Sequence, residues 1–539
     1  MKTIDRSKRV WLAAVAVVAV AGILVGGCDD ENDTPTDEGG ASTPIQITNL
    51  IANPKAGSPG DTLLLSAIVT ADDPNDGDIP TMEWTATGGA FLEDDQSSVR
   101  WVAPDNGVYQ ITVRATNDAN SVSSTASVFV GELTTVVGDR AGAVRLQQNG
   151  TDFYFFHTAF NPANGAEVYS VVGSGAPTDA VTTPGEVNGS NNRAITYAPD
   201  LSFEAHSVDS VNAAAENLAK YVYLGNFGTL QYTKISYAQA QGEKYPVFTD
   251  PDISPDSRYV AFGGMIPSTA PTIADSFDVF VYDTDDQSRD RVTFAHTNHR
   301  NFYPTWSTDQ RWLTYVSDRS ARNVWDLYGS PVTNGVVDGA QASVVRLSNT
   351  GGTVGSGNPG AFPKPLMTWN PVSPVLAILA GETLYLVTTT QSGATQIEVP
   401  VDGVPVEMKW APDGSLLAIS TGVAVMTITI DGTSTERVKR NGDTFADLAW
   451  TGDSEWLLYR ATRGTSAWLE AYDVDQAQLQ APLAITGAEP IAVGSRSLGE
   501  YRLTMSMSPA VGSTVLVYPS FTGAATVGIK RLDISGLSL

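Results

Sequence analysis

The sequence predicts an all-β chain: a small β-sandwich followed by a β-propeller of seven or eight blades, with eight favoured. Three observations predict it. The composition suits short strands and turns, with 49 Gly and 30 Pro among 539 residues, 17% charged and 42% hydrophobic; long helices favour Glu, Lys, Leu and Ala. Residues 45–132 alternate apolar and polar positions between turn-rich segments, the period of half-buried strands. From residue 196 onward one unit recurs: a Trp or its equivalent, a turn around Pro-Asp-Gly, then two apolar runs. A chain of this length exceeds one ordinary core, so several domains are expected.

Residues 1–27 read as a signal peptide. Lys2, Arg6, Lys8 and Arg9 make the start positive, and an apolar run follows from Val10 to Val25. That run is short of the about 20 residues a membrane span needs. Val25-Gly26-Gly27-Cys28 comes next, and Cys28 is the only cysteine. Small residues let the backbone enter a peptidase cleft, and a thiolate can be alkylated by a lipid. The stretch resembles the lipobox of bacterial lipoproteins. The resemblance implies lipidation at Cys28 and anchoring in the cell envelope of a Gram-negative bacterium, periplasmic or surface-facing; the alternatives are an uncleaved N-terminal anchor and a plain signal peptide that happens to contain a cysteine. By the sorting habit of enteric lipoproteins, Asp29 would add inner-membrane retention. With Cys28 lipidated no disulfide forms, so burial and hydrogen bonds must hold the exported chain. Residues 28–44 carry no large apolar side chain and read as a disordered acidic tether with a span of roughly 20–25 Å. The formal charge is −27, which disfavours nucleic acid and anionic lipid surfaces as partners.

Residues 45–132 hold strand candidates at 45–52, 62–71, 82–87, 99–104, 108–118 and 123–132, with Trp84 central. Short strands at this spacing read as a sandwich, and Gly107-Val108-Tyr109 has the form of a tyrosine corner. The pattern DDPNDGD…EW…GVYQITVRATND resembles PKD-like and related bacterial immunoglobulin-like domains. Asp73, Asp76 and Asp78 alternate around Gly77, the oxygen-rich spacing that Ca²⁺ takes; Asp, Asn and Gly also build such turns without a metal.

Residues 133–539 are assigned to the propeller. The unit appears at Tyr197-Ala198-Pro199-Asp200, Ile253-Ser254-Pro255-Asp256, Trp306-Ser307-Thr308-Asp309, Trp369-Asn370-Pro371, Trp410-Ala411-Pro412-Asp413, Trp450-Thr451-Gly452-Asp453 and Met507-Ser508-Pro509. The spacing runs from about 40 to just over 60 residues, the scale of four-stranded blades. One blade cannot bury both faces, whereas a ring of blades can. Ser317-Asp318-Arg319-Ser320 followed by Trp325-Asp326-Leu327-Tyr328 resembles the TolB-like propeller repeat, and the likeness covers residues 195–539. A degenerate unit precedes Tyr197; counting it gives eight blades and ignoring it gives seven. The last unit lacks an evident fourth strand, which Leu133 to Asp139 would supply while clasping the ring.

The chain has four histidines. His157 and His206 sit in apolar runs and read as packing residues. His296, His299 and Arg300 lie between one blade and the next, where loops line a channel rim, and are the candidates for holding a metal or an acidic group. TolB-related oligogalacturonate lyases resemble this arrangement, with His ligands at a propeller rim. The sequence has no Gly-x-Ser-x-Gly elbow, His-Glu-x-x-His helix or phosphate loop. Prolyl-oligopeptidase relatives carry a hydrolase domain, for which the sandwich is too small. The clustered Asp283, Asp285 and Asp286 fit a hairpin turn. The reading is an anchored envelope lipoprotein whose propeller binds or scaffolds a protein, a peptide or a glycan. The alternative is a polysaccharide lyase or hydrolase using a His-bound metal at the rim.

Overall fold

The computed structural model describes residues 44–535, apart from 54–55, 72–79, 93–95, 132, 141–143, 150–151, 158–167, 173–177, 183–190, 201, 212–216, 227–230, 237–250, 266–276, 294–299, 322–323, 334, 341–342, 351–353, 355–364, 465, 486–505, 508–514 and 522–526. Among the described residues all named elements are strands, and no helix is long and apolar enough to cross a membrane.

Two four-stranded sheets form the sandwich. One orders Ile45–Asn53, Thr62–Ala71, Ser98–Val102 and Ala90–Phe91; the other orders Ala56–Gly57, Ser121–Val130, Gly107–Thr116 and Thr81–Ala86. Alternation decides which side chains go inside. Leu63 and Leu65 are buried while Leu64 between them is exposed, and they meet Trp84, Trp101, Ile111, Val113 and Val128 in one core. Both indoles keep a partner: Trp84 Nε1 donates to Gln96 O at 2.8 Å and Trp101 Nε1 to Gly88 O at 3.0 Å. The tyrosine corner forms, with Tyr109 OH donating to Asp105 O at 2.9 Å.

Eight further sheets follow among the described residues. Seven are continuous in sequence, at 144–182, 191–234, 252–291, 301–346, 367–399, 407–439 and 444–485. The eighth takes three strands from 506–533 and its fourth, Leu133–Arg140, from the other end of the propeller segment. First strands of neighbouring sheets lie side by side: those of the second to fourth sheets in one run and those of the fifth to eighth in another. The first strand of the eighth sheet also lies beside that of the first. Cores sit between sheets rather than within them. Val375, Leu384 and Leu386 of the fifth sheet pack with Trp410, Leu417 and Ile419 of the sixth. Ala418 and Val425 of the sixth sheet pack with Trp450, Leu457 and Tyr459 of the seventh. Each such side chain contributes about 1.5–3 kcal/mol by burial, which is why a blade is stable only beside its neighbours.

The repeated turn has a chemical explanation. Ser254 Oγ donates to Asp256 Oδ1 and accepts from Tyr259 N at 2.8 Å. Ser307 with Asp309 and Trp312, and Thr451 with Asp453 and Trp456, repeat this arrangement. The fourth turn residue has positive φ at Ser257 (60°), Gln310 (55°), Gly414 (72°) and Ser454 (67°). Only Gly takes that conformation without strain, yet three of the four positions hold other residues. Their side chains are used by the preceding blade: Asp200 N donates to Ser257 Oγ at 3.2 Å and Asp413 N to Ser454 Oγ at 3.0 Å. Gln310, its amide turned to satisfy both groups, accepts from Asp256 N at 2.8 Å. Where Gly414 stands, the preceding blade supplies the side chain instead, and Asn370 Nδ2 donates to Gly414 O at 2.7 Å. These bonds, with Thr308 Oγ1 to Asn370 O at 2.6 Å, link the turns of the second through seventh sheets.

Aspartates of the recurring Asp-apolar-aromatic strands are also structural. Asp278 and Asp326, both fully buried, pair with Arg291 (2.6 Å) and Arg346 and accept hydroxyl bonds from Thr293 and Thr350. The acids at 283–286 build a hairpin turn as expected, Asp283 Oδ1 accepting from Asp285 N and Asp286 N.

The sandwich passes into the closing strand within two residues, Gly131 and Glu132. Gly131 N donates to Gly57 O at 2.9 Å, and a Cβ on Gly131 would meet Asp533 O at 2.6 Å. Only a glycine admits that approach of the two domains. Asn106 Nδ2 reaches Asp533 Oδ2 at 3.4 Å, and Ser121–Val130 runs beside Gln478–Ile485 of the seventh sheet.

Candidate functional site

The first strand of the sixth sheet, Glu407–Trp410, is four residues long. Met408 and Trp410 are buried in the blade core. By strand alternation Glu407 and Lys409 project from the other side, toward the axis where first strands meet. Trp410 Nε1 donates to Thr368 O at 3.2 Å, and Trp450 Nε1 donates to Lys409 O at 3.0 Å. Each tryptophan thereby fixes the strand before it.

The adjoining strand, Thr444–Trp450, is irregular between Ala446 and Ala449, and Asp447 there has φ 58°. A bulge frees backbone N–H groups from the ladder. Glu407 satisfies two of them, accepting from Asp447 N at 2.7 Å and Leu448 N at 3.0 Å. Asp447 Oδ2 in turn accepts from Arg460 Nε, and Arg460 NH1 donates to Thr462 Oγ1 at 3.2 Å. Burial pushes the Glu407 carboxyl above the usual carboxylate range, with the Asp447 charge adding to it. Burial pushes the Lys409 ammonium below its ordinary value, against the pull of Glu407. Lys409 is nevertheless reached by solvent. Among the described residues no hydrogen bond or ion pair engages its ammonium. Perturbed charges beside an irregular inner strand mark a candidate functional site.

A cleft of about 610 Å³ opens between the second and third sheets and is lined by Asp200, Asp256, Arg258, Tyr282 and Asp285 among others. Its cation is committed: Arg258 binds Asp283 through Nε (3.2 Å) and NH2 (2.7 Å).

Cys28, Asp73, Asp76, Asp78, His296 and His299 lie outside the described residues. Among the described residues no group of three His, Cys, Asp or Glu is placed to hold a metal ion. Arg300 is described, and its expected position at a rim is corrected. It is 1% exposed. Its N, Nε and NH2 donate to Asp318 at 2.7, 3.0 and 2.9 Å, and the guanidinium lies 4.7 Å from the Trp325 ring centre. Asp318, Trp325 and Asp326 of the repeat motif thus hold the fourth sheet together. Sequence reasoning passed over Glu407 and Lys409, although charges alternating with Met408 and Trp410 were the available signal.

Comparison with known proteins adds a domain assignment. Residues 48–130 match the PKD domain. Trp84, Trp101 and the Tyr109 corner described above belong to this PKD domain. No curated protein matches the chain. Among solved structures, one of two prolyl endopeptidases is 14% identical, with 72% of this chain and 53% of that chain covered and a TM-score of 0.44. This chain therefore spans about half of that relative's length. TolB from Acinetobacter baumannii is 12% identical (74% and 79% covered, TM-score 0.29). An oligogalacturonate lyase from Vibrio parahaemolyticus is 10% identical (75% and 98% covered, TM-score 0.38). The likeness concerns fold and brings no substrate to the region that follows the PKD domain.

Proposed function

We propose that the chain is a lipid-anchored envelope protein, periplasmic or surface-facing, whose eight sheets close into an eight-bladed propeller that presents its axial channel and rim to a protein, peptide or glycan. The observation that carries this reading is Lys409. It is an exposed charge on the axial side of an inner strand, with Glu407 as its electrostatic neighbour and no hydrogen bond or ion pair among the described residues. The direct passage from the PKD domain into Leu133–Arg140 supports it, because it makes the domain a stiff arm between tether and ring. Rim loops on rigid blades suit recognition.

The test places a photo-crosslinking residue at Val423, beside the channel entry, and as a control at Ile68 on the outer face of the PKD domain. The full chain is expressed in a Gram-negative host. Saturable adducts from position 423 alone are expected. Adducts from position 68 alone would refute the reading. Metal-dependent cleavage of an acidic polysaccharide, lost in His299→Ala, would replace it with the alternative of a rim lyase or hydrolase.

A further inference from the structure

We propose that the cleft between the second and third sheets binds a neutral sugar unit of a glycan, its apolar face against Leu224 and Tyr282 and its hydroxyls met by Tyr282, Gln287 and Thr233. The cleft is built from turns and from the second to fourth strands of its sheets, not from the inner strands. The proposal therefore goes beyond the axial reading above and does not rest on it.

The space exists because this junction is left unfilled. Phe203 and Leu224 of the second sheet and Tyr282 of the third make its apolar floor, continuous with the core between the two sheets. Phe203 stands three residues after the turn aspartate Asp200, as Tyr259 follows Asp256 and Trp312 follows Asp309. At the next two junctions the following sheet covers this aromatic residue. The Gly335 turn of the fourth sheet lies against Tyr259, where a Cβ would come 2.9 Å from the hydroxyl, and Val332 and Val337 beside it join that core. Trp312 Nε1 donates to Thr390 O of the fifth sheet at 3.0 Å. The matching turn of the third sheet, residues 284–287, lines the cleft through Thr284, Asp285 and Gln287 and leaves it open. About 610 Å³ remains, within the roughly 300–1,000 Å³ of small-molecule sites.

The polar lining selects the ligand. Three carboxylates, Asp200, Asp256 and Asp285, stand against a single guanidinium, Arg258, so an anionic ligand is repelled. The acids are already engaged. Asp200 Oδ1 accepts from Ser202 N (3.0 Å) and Oγ (2.6 Å), Asp256 Oδ1 accepts from Ser254 Oγ and Arg258 N, and Asp285 pairs with Arg258 at 3.3 Å. What is left is the half-buried Tyr282 hydroxyl, the Gln287 amide and the Thr233 hydroxyl, which have no hydrogen bond among the described residues. Each of these groups both donates and accepts. Sugar hydroxyls do the same, whereas an ammonium only donates. Gln287 also has φ 53°, a conformation costly for any residue but glycine, and its side chain lines the cleft instead of bonding to the chain. A pyranose ring offers C–H faces to the apolar floor and hydroxyls to the rim, the division of labour that such sites use.

The test is saturation-transfer NMR on the full chain in a detergent without a sugar headgroup. The probes are maltotriose, cellotriose, mannotriose and galactotriose, with trigalacturonate and spermidine as charged comparators. Saturable millimolar binding of at least one neutral trisaccharide is expected, with both charged probes at least about ten-fold weaker. Thr233→Trp fills the cleft from an exposed position and should abolish binding. Gln287→Ala and Tyr282→Phe each remove one hydrogen-bonding group and should weaken it about three- to ten-fold. Unchanged thermal melting of each variant shows that the fold persists. Binding of no neutral probe, preferential binding of trigalacturonate or spermidine, or neutral binding that Thr233→Trp leaves intact would each overturn the proposal. Sugar binding lost in Lys409→Met yet kept in Thr233→Trp would move the ligand to the axis, removing this site while sparing the axial reading. Sugar bound in the cleft without adducts at position 423 would do the reverse.

Discussion

Asp318→Asn is expected to destabilise the propeller by about 3–5 kcal/mol, the usual cost of removing one partner from a buried ion pair. The structure supplies the terms. Asp318 and Arg300 are 0% and 1% exposed. The carboxylate accepts three N–H groups from Arg300, between 2.7 and 3.0 Å. Hydrogen bonds to a charged group contribute roughly 1.5–3 kcal/mol each, and the desolvation of both ions offsets much of that sum. Asparagine keeps one acceptor but leaves the guanidinium buried without a counter-charge. The face of Trp325, worth about 2 kcal/mol when desolvated, cannot compensate. Urea denaturation followed by tryptophan fluorescence measures the change, compared at unchanged slope. The double variant Arg300→Met, Asp318→Leu removes both charges and is expected to recover most of the loss. A cost below about 1 kcal/mol for Asp318→Asn would refute the reasoning. The pair would then behave as a solvated one, and Arg300 would return as a ligand-binding candidate.

Five further outcomes are expected. Gly414→Ala places a Cβ 2.5 Å from Asn370 Oδ1 at φ 72° and should lower thermal stability by roughly 1–3 kcal/mol; Ser454→Gly relieves a positive φ but loses the bond from Asp413 N, so its net effect should stay within about 1 kcal/mol. Val137→Pro interrupts the pairing of Leu133–Arg140 with Val527–Asp533, and limited proteolysis should then cut within 527–535 while the PKD domain survives. Hydrogen bonding from Arg258 holds the Asp283 carboxyl below its ordinary value, so the pair's contribution is present above pH about 4 and lost as the pH falls below it. Arg258 is 39% exposed, so Asp283→Asn should flatten that acid limb only slightly, and added salt should mask the difference. Cys28→Ser should move the protein from the membrane to the soluble fraction of a lipoprotein-processing host.

The inner tryptophans and the turns behind them were legible because they repeat, and repetition survives variation at single positions. Trp306, Trp369, Trp410 and Trp450 each end a first strand. The logic of the turn was only half visible. Pro-Asp-Gly announces a reversal, but Ser257, Gln310 and Ser454 look like ordinary polar residues until the neighbouring blade is in place. Ala56–Gly57 and Ala90–Phe91, two residues each, are too short to carry a period, and so are Val336–Val337 and Val345–Arg346, which pair separately with Val324–Thr333 in the fourth sheet. Arg300 was misjudged because its partner lies eighteen residues on, at Asp318. Nothing in sequence spacing separates an arginine waiting for a ligand from one already paired. Glu407 and Lys409 were overlooked for the converse reason: within EMKW the tryptophan dominates the motif, and the charges gain meaning only once strand alternation assigns them to the axis.

The eighth sheet joins residues 133–140 to residues 527–533, and this constrains how the molecule comes into being. While the chain emerges N-terminus first, the PKD domain has every strand it needs early, but its continuation must wait as a bare edge until nearly four hundred more residues have arrived. A nascent or prematurely terminated chain therefore displays two unmatched borders, one at each side of the gap, and both invite foreign strands. Holding factors, and proteases that recognise such borders, would distinguish finished rings from unfinished ones by this single seam.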